Sequence, residues 1–302
     1  MAGETAPSLP LGINLPNSDW IRKKHGSKSV SLANVASSRN SSEVQLREAL
    51  FLPQYHSALE QYANMTNNLH TDLHEIAGHG SGKILDGVNT DTLGVYYSTI
   101  EESRADLVAL YYMPEKKLKE FGIYDGHVDI EEAALAQYVS YITNGAISQL
   151  RRVDLGNDLT QAHFRNRQLI SLWILDNCDP FKISIVQKEG IHYVEINDVQ
   201  HVKDMFGQLL EKVQTIKSTG DFESAKQLVM NYGTKVNQTI HKELLDRIEK
   251  LDMPKVVGFV TPVLVKKDNT VVLEQVDNFF EQQISLHKKY VTHVSNKKKL
   301  NI

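Results

Sequence analysis

The chain has a single cysteine, Cys178, among 302 residues. One thiol cannot form an internal disulfide, which fits a reducing compartment. A long apolar run is also missing. The longest, residues 256–265, is interrupted by Thr261 and Pro262 and falls short of the roughly 20 apolar residues that a bilayer core requires. The first residues, MAGETAPSLP, hold no basic stretch followed by an apolar one, so no secretory leader is expected. Charge of one sign is scarce as well. A net charge of −4 offers no surface for nucleic acid or for an anionic membrane. No internal repeat is visible. These absences point to a cytoplasmic chain with no nucleic-acid and no membrane partner. What is present, 41% apolar and 23% charged residues, is the balance of a globular protein, long enough for two ordinary domains or one large one.

The chemistry is concentrated in residues 74–79, His74-Glu75-Ile76-Ala77-Gly78-His79. Imidazole nitrogen suits Zn²⁺, and a carboxylate beside the metal can take a proton from an activated water. The common zinc signature places two His at i and i+4, about 40° apart on a 3.6-residue helix. Here the spacing is i, i+5, which separates the side chains by about 140° on a regular helix. The two can share one ion only if the helix is overfilled by one residue, as in a π-bulge. Gly78, just before the second His, tolerates irregular backbone. The bland reading is a surface helix carrying two unrelated His.

A second stretch, residues 98–106, reads Ser-Thr-Ile-Glu-Glu-Ser-Arg-Ala-Asp. Ser98 followed by Glu101 has the form of a capping box, which predicts a helix start there. Leu107, Val108, Leu110 and Tyr111 then follow at helical spacing. A catalytic zinc site needs a third protein ligand and an open position. Glu102 is the candidate ligand. Asp106, one turn on, could accept a hydrogen bond from a ligating imidazole. Against this stands the usual fate of such charge, a salt-bridged solvated face.

Together the two stretches resemble dipeptidyl-peptidase III, a zinc exopeptidase family marked by H-E-x-x-G-H and E-E-x-R-A-E/D. The resemblance extends to Gly80-Ser81-Gly82-Lys83, to Ile13-Asn14-Leu15-Pro16 and to Gln161-Ala162-His163. It implies one Zn²⁺ per chain held by His74, His79 and Glu102, with Glu75 as general base. Glu101 and Asp106 are expected behind the ligands, and Asp106 stands where the family often has Glu. It implies further that His163 contacts the substrate carbonyl and that Arg167 binds substrate in the same cleft. Taken by themselves, those two residues, four apart at the start of a helix, read as an ordinary polar helix start. The implied activity is release of dipeptides from the N-terminus of short peptides. The family's enzymes are about twice as long, with a second lobe that contributes a β-barrel and grips the substrate's terminal ammonium. That lobe is expected to be absent here. The alternative is therefore a truncated or partner-dependent zinc-binding lobe that requires a companion lobe or chain.

The rest of the chain sets the frame. Residues 1–43 are expected to be extended or loop-rich, with a short helix starting at Ser18, and residues 44–302 to form the helical lobe. A long helix is expected from near Pro53 to the first motif. Its other two histidines, His56 and His70, are assigned no role. Gly80-Ser81-Gly82-Lys83 lacks the leading glycine and strand of a phosphate loop. Helices are expected at 131–152, 160–177, 198–217, 221–231, 238–249 and 276–287. A hairpin is expected at 182–196 around Lys188-Glu189-Gly190, and late strands at 256–265 and 270–274. The fold class is α+β, predominantly α-helical, with few short strands.

Overall fold

The structure, a computed structural model, describes residues 12–15, 21, 24–32, 43–251, 260–261, 263–268, 270–274 and 278–297. The helix expected from Ser18 and the first part of the strand expected at 256–265 lie largely outside them. The described residues group into two units. One holds strands β1 (Gly12–Leu15) and β2 (Lys28–Ser31) and everything from α1 (Glu43–Leu50) to residue 251. The other holds an antiparallel hairpin, β5 (Val263–Lys267) with β6 (Thr270–Glu274), and helix α10 (Phe279–Lys297). Strand β2 forms where Ser and Asn content reads as loop. It pairs antiparallel with β1, Ile13 opposite Val30. Among the described residues no helix is long and apolar enough to cross a membrane.

In the larger unit helices dominate. After a 3₁₀ turn at Pro53–Tyr55, helix α2 (His56–Leu73) runs without a break into a π-helical turn, His74–Gly78. A 3₁₀ stretch (Thr90–Tyr96) leads into α3 (Tyr97–Tyr112). A short α4 (Lys116–Glu120) follows, then α5 (Ile130–Ala146) and α6 (Ala162–Asn177). The hairpin β3 (Ile183–Lys188) and β4 (Ile191–Ile196) turns at Glu189 and Gly190, both at positive φ (53° and 82°), which is the two-residue turn that matches strand twist. Three more helices complete the unit: α7 (Val199–Thr219), α8 (Phe222–Tyr232) and α9 (Gln238–Glu249).

Local sequence explains the boundaries. Asp129, Asp198, Asp221 and Asn237 each cap the helix that follows by accepting backbone N–H bonds. Gly220, at φ 68°, ends α7 in the left-handed conformation. The expected capping box at Ser98 does not form. The chain enters α3 directly from the 3₁₀ stretch, with Tyr96 already near helical dihedrals, so the helix begins at Tyr97 and Ser98 lies inside it.

Helix α3 is the axis of the unit. Eleven of its 16 residues are buried, and they include Glu101, Arg104 and Asp106 beside Ile100, Leu107 and Leu110. Buried charge of that kind requires partners. Around α3 lie Tyr138 and Ile142 of α5, Leu169 and Ile174 of α6, and Phe206, Leu209 and Val213 of α7. Two glycines set how closely helices approach. A Cβ on Gly78 of the π turn would lie 2.7 Å from Ala105 Cα and 2.9 Å from its carbonyl oxygen. A Cβ on Gly145 of α5 would lie 2.2 Å from the carbonyl oxygen of Arg167 on α6. Gly145→Ala should therefore force α5 and α6 apart and destabilise the fold by about 1–3 kcal/mol. Thermal melting checks this; a variant that melts with the wild type would mean the two helices do not approach so closely.

Candidate metal centre

The π turn brings the two imidazoles of the first motif together. The backbone N–H of His79 donates to His74 O at 2.9 Å, five residues back, so one extra residue is accommodated in that turn. The His74 and His79 rings then meet edge to face with centroids 4.7 Å apart. Gly78 serves this turn by letting it rest on the α3 backbone at Ala105, rather than by adopting a conformation closed to other residues.

Helix α3 supplies the third group. Glu102 Oε2 lies 3.3 Å from His74 Nε2 and 3.9 Å from His79 Nε2. That oxygen is buried and has no hydrogen-bond partner, although three imidazoles stand near it. The third is His163 of α6, with Nδ1 at 3.4 Å and a side chain about half exposed. A buried carboxylate oxygen facing two Nε2 atoms without hydrogen-bond geometry is a donor set that a divalent cation would complete.

What lies behind the rings fixes which nitrogen faces inward. His74 Nδ1 is 2.7 Å from Asp106 Oδ1, and His79 Nδ1 is 2.9 Å from Glu101 Oε1. Both carboxyls are held well below the usual range. Burial works against this in each case. For Asp106 it is outweighed first by the His74 charge and then by hydrogen bonds from His70 and His74. For Glu101 it is outweighed by hydrogen bonds from His79 and Arg104 and by the charges of Arg104 and Lys217. An ionised carboxylate only accepts, so each Nδ1 carries a hydrogen, and a ring that gives up its second proton turns an Nε2 lone pair towards Glu102.

The field at the site attracts cations. Burial lowers the His74 pKa, but the Asp106 charge, the hydrogen bond to Asp106 and the nearby Glu102 carboxylate prevail and raise it to about 10. Burial raises the Glu102 pKa, but the close imidazoles of His163 and His74 prevail and lower it to about 2. Groups that hold a proton so firmly on an imidazole would hold a metal ion by the same charge.

A second cluster, His70, His74 and Asp106, also has ligand atoms close together. It is already saturated. Asp106 Oδ1 takes His70 Nε2 at 3.0 Å as well as His74, while Oδ2 takes Tyr141 Oη at 2.6 Å and Asn166 Nδ2 at 2.5 Å. Four donors fill the carboxylate and leave no position for a ligand, so this cluster supports His74.

The expected residues therefore converge: His74, His79 and Glu102 at the centre, Asp106 and Glu101 behind the rings, and His163 beside Glu102. Glu75, next to His74 in the π turn, is buried. Arg167 is half-buried one turn beyond His163. Its charge reaches the Tyr141 hydroxyl, whose pKa burial and the Asp106 charge nevertheless raise well above the usual value. Sequence reasoning missed His70, Tyr141, Asn166, Arg104 and Lys217. His70 had a signal, since it stands one helical turn before His74 on the same face. Arg104 also had one, as the Arg of the second motif three residues after Glu101, whereas Tyr141, Asn166 and Lys217 come from distant positions and had none.

Dipeptidyl peptidase 3 of Nematostella vectensis is 26% identical over 268 residues, covering 76% of this chain and 36% of its own length. Dipeptidyl peptidase 3 of Homo sapiens is 24% identical, covering 75% of this chain and 35% of its own. The chain thus spans little more than a third of these relatives. The structure of DPP III from Caldithrix abyssi superposes with a TM-score of 0.61 at 23% identity, over 82% of this chain and 44% of that one, a likeness of fold. The profile of Peptidase family M49 matches residues 4–96 and 89–289, nearly the whole chain. The chain belongs to peptidase family M49.

Proposed function

We propose that this chain is a zinc-dependent peptidase lobe of the dipeptidyl-peptidase III type, acting on the N-terminal end of short peptides. The observation that carries the reading is the buried Glu102 Oε2, without a hydrogen-bond partner and faced by two imidazole nitrogens whose other ring nitrogens rest on carboxylates. His74, His79 and Glu102 would hold the ion. Bound zinc supplies Lewis-acid activation of water and of the scissile carbonyl.

The rest is done by the chain. Glu75 adjoins a ligand without belonging to the converging set, and it takes the water proton and passes it to the leaving amine. His163 is half exposed at the rim and 3.4 Å from Glu102, and it donates to the oxygen that gains charge on the carbonyl. Arg167, one turn along α6, binds the peptide beside it. The lone Cys178 is buried and unpaired, which suits the reducing cytoplasm.

A second reading, a lobe that works only with a companion chain, is favoured by the smaller unit. One face of the β5–β6 hairpin exposes Leu264, Val271 and Leu273. A two-stranded hairpin with an exposed apolar face is marginal unless something covers it.

Glu75→Gln should keep its zinc and lose turnover by about 10²–10⁴-fold; loss of zinc from that variant would make Glu75 a ligand. Glu102→Ala should lose the metal, and stoichiometric zinc in it would mean that Glu102 is not the third ligand. The whole reading is tested with a dipeptidyl chromogenic amide offered with a free and with a blocked N-terminus. Chelator-sensitive release from the free form alone marks a complete dipeptidyl peptidase. Release from both marks a zinc centre without terminal recognition. Zinc bound without release from either supports the companion-chain reading.

A further inference from the structure

The carboxylates behind the two imidazoles are held differently. Asp106, behind His74, receives His70, Tyr141 and Asn166 as its other donors. Glu101, behind His79, is gripped by two cations. Arg104 Nε donates to Oε2 at 3.0 Å and Nη2 to Oε1 at 2.8 Å. Lys217 Nζ, from helix α7, donates to Oε2 at 2.6 Å. Arg104 and Lys217 are both buried, the lysine only 3% exposed.

A lysine at this position is unexpected from packing. Val202, Phe206, Leu209, Val213 and Ile216 form the buried apolar face of α7, and Lys217 continues it one turn after Val213. Lysine is almost never buried so fully without a reason. Tying α7 to α3 is not that reason. The two helices already touch closely, for a Cβ on Gly207 would lie 2.8 Å from the Tyr111 ring. Neutralising Glu101 is not that reason either, because Arg104 already forms a two-point pair with it. Loss of one member of a buried ion network is costly for a fold, but Arg104 alone would keep Glu101 paired, so the charge of Glu101 does not by itself require a second cation.

What Lys217 adds is a fixed orientation. Arg104 stands three residues from Glu101 on the same helix and also donates Nη2 to the carbonyl oxygen of Gly78 at 2.7 Å. It ties Glu101 to the π turn but approaches the carboxylate from one side. Of the two cations, Lys217 alone comes from another helix. With it, Oε1 accepts His79 Nδ1 and Arg104, and Oε2 accepts Arg104 and Lys217. Each oxygen has two donors, so the carboxylate cannot pivot without losing one. Its plane sets the His79 ring, and the ring sets the direction of the Nε2 lone pair.

We infer that Lys217 is a positioning residue for His79, acting through Glu101, at the metal centre proposed above, on which this assignment rests. Groups that orient a ligating imidazole typically change metal affinity by 10–100-fold when removed. A role through charge alone would have the opposite sign, since removal of a cation from the neighbourhood of Zn²⁺ tightens binding.

The test uses the full chain, stripped with chelator, and zinc itself as the probe, in competition with a chromogenic chelator. Lys217→Met, with no donor and no charge, should bind zinc about 10–100-fold more weakly than wild type, measured at a temperature at which its stripped chain is still folded. Lys217→Arg, which returns a cationic donor, should recover most of the affinity. Lys217→Gln, which keeps an N–H donor without charge, should fall between Met and wild type, and it carries the test if the Met chain does not fold. In histidine-labelled stripped protein the His79 Nδ1–H resonance should move in the Met variant and return in the Arg variant. Met and Gln variants that bind zinc as tightly as wild type, or more tightly, overturn the assignment while the metal reading stands. A wild-type chain that takes up no zinc overturns the metal reading itself.

Discussion

Two imidazoles five residues apart can face one point only if the helix between them is wound wide for one turn, and much of the structure serves that requirement. The π turn at His74–Gly78 leaves its backbone displaced towards α3. Only a glycine at 78 lets it settle there, against Ala105. This contact places the two motifs on facing elements, so that Glu102 of α3 meets both Nε2 atoms while Glu101 and Asp106, on either side of it in sequence, reach the two Nδ1 atoms. One helix thus presents a central carboxylate and two supporting ones, and the π turn makes them all reachable.

The same geometry explains why α3 is buried although it is highly charged. Its three carboxylates lie among imidazoles and cations, with Arg104 and Lys217 on one side and His70, Tyr141 and Asn166 on the other. Removal of one partner from such a network leaves a charge or dipole uncompensated, so each member constrains its neighbours. The arrangement also links the helices. Asn166 joins Asp106 to α6, the helix that carries His163 and Arg167.

The two motifs were legible because their spacing is a geometric statement. The i, i+5 His pair requires an overfilled turn, and the turn is there. Helix and hairpin positions in the region from 130 to 249 were legible from apolar periodicity to within a few residues, except that the helix expected to reach residue 152 ends at Ala146, where Ile147 leaves the helical conformation and a 3₁₀ stretch, Ser148–Arg152, follows. Ser98 misled because a capping box is a local rule, and the preceding 3₁₀ stretch had already set the backbone. In the sequence Gly78 signals irregular backbone, whereas its need arises from a helix 27 residues away, at Ala105. His70 carried a readable position but no readable partner. Tyr141, Asn166 and Lys217 reach the site only through folding, and nothing near them in the chain marks them.

The central claim is that the converging His74, His79 and Glu102 form a metal site whose charge is set by the carboxylates around it. The most direct measurement is calorimetric titration of zinc into the chelator-stripped chain at pH 8, repeated in buffers of different ionisation enthalpy. His74 has its pKa raised from 6.5 to about 10 in the fold, so the proton's stabilisation of the stripped protein is complete below 6.5 and is lost as pH rises through about 10. At pH 8 the stripped site still holds that proton, and zinc must displace it. One zinc per chain should bind, with release of about one proton from His74. No uptake, or uptake with no proton released, would contradict the central claim.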